Sequence, residues 1–375
     1  MNSKLKKGFG MGGIIARTLP SHLENESLIP ASIHSQEEKW MALAILEAMN
    51  GIGWASPNPS VGCVVVKDQK MIARGFTQSY GGKHAERMAF EFLEQEGGLD
   101  HHSGLQVYVT LEPCSHFGKQ PPCVDLLLHP AIQKVIIACE DPNPLVAGKG
   151  IQKLRNSGKE VQIGVLKNEA QAWHFPFLSF YQTRKPIWVA KWAENQDGLL
   201  ADALGNSKWI TNAGSRAYTH WLRQKYDAIL VGAGTWIKDH PKLDVRDCAE
   251  PHRRNPVILV HDPKKRLSKD QMNPSVHLFH QKEMCDLIQA VESHDFGFEL
   301  QSVFCEGGAR SLNQLFEAGR VDLVHRFIGQ KDFGAHGPSS PHRVSGFSPE
   351  TSNAWECATL CEFGNDLLQE WVKCS

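Results

Sequence analysis

His84, Cys114 and Cys123 can act together only if the chain folds back to bring them to one point, and their neighbours suggest that it does. An imidazole and two thiols form a borderline-soft donor set that suits zinc. Three protein ligands leave one tetrahedral position open, which marks a catalytic rather than a structural ion. Glu86 lies two residues beyond His84 and is not needed as a ligand, so it is free to move protons to and from a water at that position. Residues 83–94 read as a helix with Met88, Ala89, Phe92 and Leu93 on one face and His84 in the first turn. Residues 106–111 read as a strand that Glu112-Pro113 ends. Pro121-Pro122 then opens a second short helix over residues 123–128. Helix N-termini favour thiolates and hence a metal, so the predicted site lies where helix starts meet strand ends.

The pattern His-x-Glu, Pro-Cys, Cys is the signature of zinc-dependent nucleobase deaminases. Two blander readings stand beside it. One is a closed structural site with His116 as fourth ligand. The other is two buried free cysteines near an unrelated histidine, against which Glu86 and Pro113 both count. The usual spacing is Cys-x-x-Cys, whereas here the cysteines enclose residues 115–122, with His116 and Lys119 among them. A cationic insertion beside the metal suggests an anionic substrate such as a phosphate ester; a solvated surface loop is the alternative.

A chain of 375 residues is long for one core and implies two domains. A net charge of −1 gives no bulk drive toward nucleic acid or an anionic membrane, and neither is expected as a partner. No apolar run approaches the ~18 residues that a membrane span needs. Ten cysteines are too few for a disulfide scaffold, and a thiolate zinc site fits a reducing compartment. Cys357 and Cys361 show no partner pair and read as ordinary thiols. We therefore expect a cytoplasmic protein. Residues 1–34 carry Lys4, Lys6, Lys7 and Arg17 with no acid before Glu24, and read as a disordered extension. If they form a transit peptide instead, a plastid is the alternative. The sequence allows a homo-oligomer without specifying one.

Ser35-x-x-Glu38 is a capping box that opens a helix to about Asn50, with Gly51 as its stop. Residues 61–66 and 71–76 pair as a hairpin around Asp68. Strands at 134–138 and 160–164, with a helix near 150–156, give the order αββαβαβαβ, which suits a five-stranded mixed sheet covered by helices. This first domain spans residues 35–178. Residues 175–185 read as a short packed connector. A second α/β domain, residues 186–373, has a helix at 216–224 and strands at 228–231, 257–261 and 302–305. Two of its strands end in glycine turns, Gly232-Ala233-Gly234-Thr235 and Glu306-Gly307-Gly308, the latter opening a helix at 311–318. Bare backbone amides at such junctions can cradle phosphate, or the turns can simply pack tightly.

Several longer stretches carry a family resemblance: Ser56-Pro57-Asn58-Pro59-Ser60-Val61-Gly62-Cys63-Val64, His84-Ala85-Glu86, Thr110-Leu111-Glu112-Pro113-Cys114-Ser115-His116, and Asp141-Pro142-Asn143-Pro144. With Gly118-Lys119 and Pro121-Pro122-Cys123, they make the chain resemble the bifunctional riboflavin-biosynthesis deaminase/reductase family. The resemblance implies a cytidine-deaminase-like mixed-sheet domain followed by a dihydrofolate-reductase-like α/β domain, with one Zn²⁺ per chain and NADPH. It implies hydrolytic deamination of a phosphoribosylated diaminopyrimidinone, with Glu86 as proton shuttle, then reduction of the ribosyl group to ribityl. By the same carry-over Asn58 holds the first substrate, and His116 and Lys119 meet its phosphate. Ser207, Arg223, Leu243, Arg246 and Glu306 touch the second substrate. Ala193, Trp209, Thr235, Asp239, Gly307 and Gly308 lie along the cofactor, with Asp239 also catalytic. The guanidinium groups of Arg223 and Arg246 suit phosphate; structural ion pairs are the other reading.

The chain departs from the family at Asn195-Gln196, at His240, and at Ile328-Gly329-Gln330-Lys331. These departures keep a second reading open, a deaminase with a non-catalytic reductase-like domain. A cytidine or tRNA-base deaminase would leave the Lys119 insertion and second domain unexplained. A zinc-stabilised scaffold would not need Glu86.

Overall fold

The computed structural model describes residues 33–144, 146–246, 255–273, 275–334, 342–349 and 352–374. The expected N-terminal extension lies almost wholly outside them. The chain divides into two compact units between Arg184 and Lys185, later than the expected domain end at residue 178.

In the first unit, helix α1 (Gln36–Met49) starts as its capping box predicts. The Glu38 amide donates to Ser35 Oγ at 3.1 Å, and the Ser35 amide donates to Glu38 Oε2 at 3.1 Å. Strands β1 (Gly62–Lys67) and β2 (Lys70–Phe76) form the hairpin, closed by Asp68 and Gln69, both at positive φ. A two-residue turn of this hand matches the strand twist and pins the register. Then follow α2 (Ala85–Gln95), β3 (Leu105–Val109), α3 (Cys123–Leu127), β4 (Ile132–Ile137), α4 (Lys149–Asn156) and β5 (Glu160–Ile163). The sheet order is β2-β1-β3-β4-β5. β1 is antiparallel to its neighbours, and β3, β4 and β5 run parallel. Phe90 and Leu93 of α2, with the inward residues of β1, β3 and β4, make one core.

The expected connector at 175–185 is a correction. Residues Lys167–Thr183 form one helix, α5, with Pro176 inside it. A proline within a helix costs about 3 kcal/mol, so local propensity argued against the helix. Burial of Trp173, His174, Phe177 and Phe180 overrides it.

The second unit has β6 (Ile187–Asn195), α6 (Ala213–Lys225), β7 (Ala228–Gly232), α7 (Ala233–Asp239), β8 (Val257–His261), β9 (Val276–Phe279), α8 (Met284–Ser293), β10 (Ser302–Cys305), α9 (Ala309–Glu317), β11 (Leu323–Gly329), β12 (Trp355–Phe363) and β13 (Asp366–Lys373). Its eight-stranded sheet runs β12-β13-β11-β6-β10-β7-β8-β9. The six strands from β11 to β9 are parallel, and β12 and β13 are antiparallel. β6, β10 and β7 are central and apolar, as a sheet covered on both faces requires. β10 lies beside β7, so the two glycine turns that leave these strands fall side by side.

Candidate active sites

The first unit brings the three expected zinc ligands together. His84 Nδ1 lies 3.5 Å from Cys114 Sγ and 3.3 Å from Cys123 Sγ, and all three donor atoms fall within 4.8 Å of one another. A tetrahedral zinc with the usual bond lengths needs nitrogen and sulfur about 3.5 Å apart, so the donor set fits the ion. His84 is the residue before α2 rather than part of its first turn: its backbone is extended at φ −75°, ψ 164°. Cys123 opens α3. Its amide donates to Cys114 Sγ at 3.3 Å, and the Val124 amide donates to the Cys114 carbonyl at 3.1 Å. The start of α3 thus points an amide at the Cys114 sulfur, as a site for anions requires.

Hydrogen bonds, first from Cys123 and then from His84, hold the Cys114 thiol down to about 4 against the burial that raises it. The same contact pushes Cys123 up. A divalent metal would take both as thiolates. Glu86 is 3% exposed. Burial first, and then the Cys114 charge, raises its carboxyl above the usual range.

A cavity of about 380 Å³ is lined by His84, Cys114 and Glu86. Asn58, His116 and Lys119 all line it, as the sequence expects. Nδ1 of His116 has no hydrogen-bond partner among the described residues. The Lys119 ammonium sits over the Tyr80 ring, 3.9 Å from its centre.

Other residues of the site had no assigned role at the sequence level. Glu112 is buried and accepts hydrogen bonds from the amides of Gly148 (3.0 Å), Gly150 (3.1 Å), Asp141 and Ile151 (both 3.3 Å). It ties the Asp141 loop and the start of α4 to the Cys114 turn. Gly150 permits this: a Cβ there would meet the Pro113 carbonyl at 2.4 Å. Asp141 faces the cavity, and burial pushes its carboxyl up to about 6. The Asp-Pro-Asn-Pro stretch was the available signal, as a turn-former holding an acid. Phe177 and Tyr181 of α5 also face the cavity, and the connector reading concealed them.

In the second unit, Arg223 on α6 grips Glu306 at the end of β10 with two bonds, Nε to Oε1 at 2.6 Å and Nη2 to Oε2 at 3.0 Å. Both side chains are about nine-tenths buried. Burial raises the Glu306 carboxyl, but Arg223 more than offsets it, and the net shift is downward. Nη1 of Arg223 donates to the Asp244 carbonyl at 3.2 Å, and Asp244 in turn pairs with Arg246. Lys191 lies half-buried in the middle of β6, where burial lowers its ammonium and Glu306 partly restores it. The signal for it in the sequence is a single lysine within the apolar run Trp188-Val189-Ala190-Lys191-Trp192.

The glycine turns meet at Ser311. A Cβ on Gly232 would come within 2.9 Å of Ser311 Oγ, and one on Gly307 within 2.8 Å of Ser311 Cβ. The Gly308 position lies 3.9 Å from Thr235 Oγ1. This bare backbone, at the starts of α7 and α9, fits a phosphate-bearing cofactor. Leu243 is buried at φ 51°, and Ala193 lies near the end of β6. Ser207, Trp209 and Asp239 are on exposed segments, with Trp209 stacked under the Arg216 guanidinium at 4.4 Å.

The family departures form a coherent set. Asn195 is buried and accepts from the amides of Asp197 and Leu199, which builds the turn after β6. Gln196 donates to Gln330 at 2.9 Å, so two departures satisfy each other. His240 caps α7 in the left-handed conformation.

Comparison with known proteins agrees with this division. Residues 34–139 match the cytidine and deoxycytidylate deaminase zinc-binding region, and residues 186–369 match the RibD C-terminal domain. The riboflavin biosynthesis protein RibD of Aquifex aeolicus is 36% identical over 324 residues, covering 80% of this chain and 89% of its own length. The chain belongs to the RibD family. The Actinobacillus pleuropneumoniae RibD is also 36% identical, over 89% of this chain and 94% of its own. Among solved structures, the Thermotoga maritima diaminohydroxyphosphoribosylaminopyrimidine deaminase/5-amino-6-(5-phosphoribosylamino)uracil reductase superposes with a TM-score of 0.76 at 33% identity. It covers 90% of this chain and 99% of its own. Acinetobacter baumannii RibD gives 0.74 at 30% identity, covering 91% and 99%. RibD membership bears out the resemblance and the two-domain α/β fold. Among the described residues no helix is long and apolar enough to cross a membrane.

Proposed function

We propose that the chain catalyses two successive steps of riboflavin biosynthesis. The first is hydrolytic deamination of 2,5-diamino-6-(5-phosphoribosylamino)pyrimidin-4-one. The second is NADPH-dependent reduction of the ribosyl group of the resulting aminouracil to ribityl. The single observation that carries the reading is the cluster of His84, Cys114 and Cys123, whose first two members line one cavity with Glu86, in a RibD-family chain.

His84, Cys114 and Cys123 would hold a zinc ion, which would supply the Lewis acidity that makes water nucleophilic near neutral pH. Glu86 accepts the proton of the attacking water and returns one to the departing ammonia. Its burial suits that work, because burial raises the carboxyl and so favours holding the proton between the two transfers. Asn58 holds the pyrimidine, and His116 and Lys119 take the phosphate. The buried Asp141 stands in the same cavity as a hydrogen-bonding partner for the ring amino groups.

In the second unit a bound NADPH would supply the hydride. The paired glycine turns would hold its phosphates, and Ala193, Trp209, Thr235 and Asp239 would line its length. Arg223 is committed to Glu306, so its work is to hold that carboxylate ionised and oriented for the substrate. Arg246, on the exposed loop, takes the substrate phosphate, with Ser207 and Leu243 beside it. Retention of a buried Arg223–Glu306 pair favours a working reductase over a decayed domain, since an unpaired buried charge is costly.

The test is purified protein with the phosphoribosylated diaminopyrimidinone. Ammonia release should need no NADPH, and NADPH absorbance should fall only after deaminated product forms. Ammonia release with no NADPH oxidation above background would favour a deaminase with a non-catalytic second domain.

A further inference from the structure

The two family models leave residues 140–185 between them. That segment nevertheless supplies part of the deaminase cavity, including Asp141, Asn143, Phe177 and Tyr181. The last two stand on α5, one helical turn apart, and so on the same face.

Helix α5 is fixed against the site by its buried side. Trp173 Nε1 donates to the Ser60 carbonyl at 2.8 Å, just beyond Asn58-Pro59. His174 Nε2 meets Thr110 Oγ1 at 3.1 Å, on the segment that leads to Cys114. These contacts set the position of Phe177, which is buried, and of Tyr181, which is half-exposed and so stands nearer the mouth. The Tyr181 ring is itself braced. It packs on Phe177 with centroids 4.7 Å apart, meets Phe180 edge-on at 5.9 Å, and lies under the Arg184 guanidinium at 4.8 Å. A tyrosine held on three sides presents a rigid wall.

The reacting pyrimidine must reach the deep end, where Glu86 and the metal ligands converge. A cavity of about 380 Å³ lies within the ~300–1,000 Å³ range of small-molecule pockets and holds more than a bare pyrimidine. The substituent on the ring therefore occupies the outer part, where Tyr181 stands. A ribose offers C–H groups on one face and hydroxyls on its edges, which suits an aromatic ring with a polar tip.

We propose that Tyr181, backed by Phe177, is a specificity-determining residue for deamination: it is the wall against which the ribosyl group lies, so that the enzyme selects the phosphoribosylated pyrimidine over the free base. The inference rests on the deaminase reading above and adds a wall that neither family model contains.

The experiment measures ammonia release by wild type, Tyr181→Ala and Tyr181→Phe, each with the phosphoribosylated substrate and with its free base, 2,5,6-triaminopyrimidin-4-one. Zinc content and thermal melting are followed in parallel to show that each variant is folded and loaded. Tyr181→Ala should raise KM for the phosphoribosylated substrate by about tenfold, with kcat nearly unchanged and the free-base kinetics unmoved. Tyr181→Phe keeps the ring and should restore most of the affinity. An unchanged KM, or an equal loss on both substrates, would overturn the proposal. If wild-type enzyme released ammonia from neither pyrimidine, the deaminase reading itself would fail, a result distinct from either.

Discussion

The two halves of this protein hold their chemistry in different ways. The deaminase site is assembled from backbone outward. His84, Cys114 and Cys123 sit at helix starts and a proline turn, within hydrogen-bond distance of one another, and the buried Glu86 faces the same cavity. The reductase site has one comparably rigid part, the Arg223–Glu306 pair, while Ser207, Trp209, Asp239 and Arg246 lie on exposed segments. Metal ligands must be preplaced, because tetrahedral geometry tolerates little error. A long cofactor is gripped at many points, and each can be weaker and more exposed. The halves should therefore respond differently to single substitutions.

Glu86→Gln should show the largest effect. It should keep about one zinc yet slow ammonia release by roughly 10²–10⁴-fold, the range of general acid–base effects. Reduction of separately supplied aminouracil should continue at the wild-type rate. Near-normal ammonia release would remove Glu86 from the proton path.

Arg223→Ala probes the rigid part of the other half. It strands Glu306 as a buried charge, so the second unit should lose about 3–5 kcal/mol of stability, read as an earlier transition in denaturant. A loss under about 1 kcal/mol would mean that this site too is loosely held, and would sharpen the contrast.

Asp141 gives a pH signature confined to the deaminase half. Its carboxyl is raised from 3.8 to about 6 in the folded chain, so it binds its proton more tightly folded than unfolded. Its contribution to stability is full below about pH 4 and is lost as pH rises through about 6, a change near 3 kcal/mol. Asp141→Asn should abolish that part of the slope, measured as the difference between the two proteins' unfolding free energies across this window. Parallel slopes for the two would show that Asp141 ionises normally.

Lys119→Ala should weaken binding of the phosphorylated substrate by about 1.5–3 kcal/mol, the worth of a hydrogen bond to a charged group. KM should rise with little change in kcat. An unchanged KM would make Lys119 only a cap on the Tyr80 ring.

The smallest effect belongs to the exposed pair Gln196–Gln330. Gln196→Ala should shift stability by no more than about 0.5 kcal/mol, as surface substitutions do. A melting shift equivalent to more than about 1 kcal/mol would show that the turn after β6 is built as tightly as the Cys114 turn.

What could be read without the fold depended on how local the cause was. The α1 capping box, the Asp68 hairpin and the metal triad are written in short runs, because hydrogen bonds and ligand chemistry act over a few residues. The small shift of His84 from the first turn of α2 to the position before it has the same origin: helix starts are set by cap geometry, which residue pattern locates only to within a turn. The αββαβαβαβ order followed from periodicity, which reports which side of each element meets the core.

By itself, then, the sequence determined the donor set, the acid two residues beyond its histidine, the presence of two domains and the order of elements along the first, since each follows from residue type and spacing. Only the tertiary structure decided that residues 167–183 are a helix despite Pro176, that Phe177 and Tyr181 wall the cavity, and that Arg223 is spent on Glu306. Glu112 belongs with these, because its four backbone partners come from a loop and a helix start beyond β4. All of these rest on partners distant in the chain, where burial outweighs local propensity and only the packed sheet fixes which side chains meet.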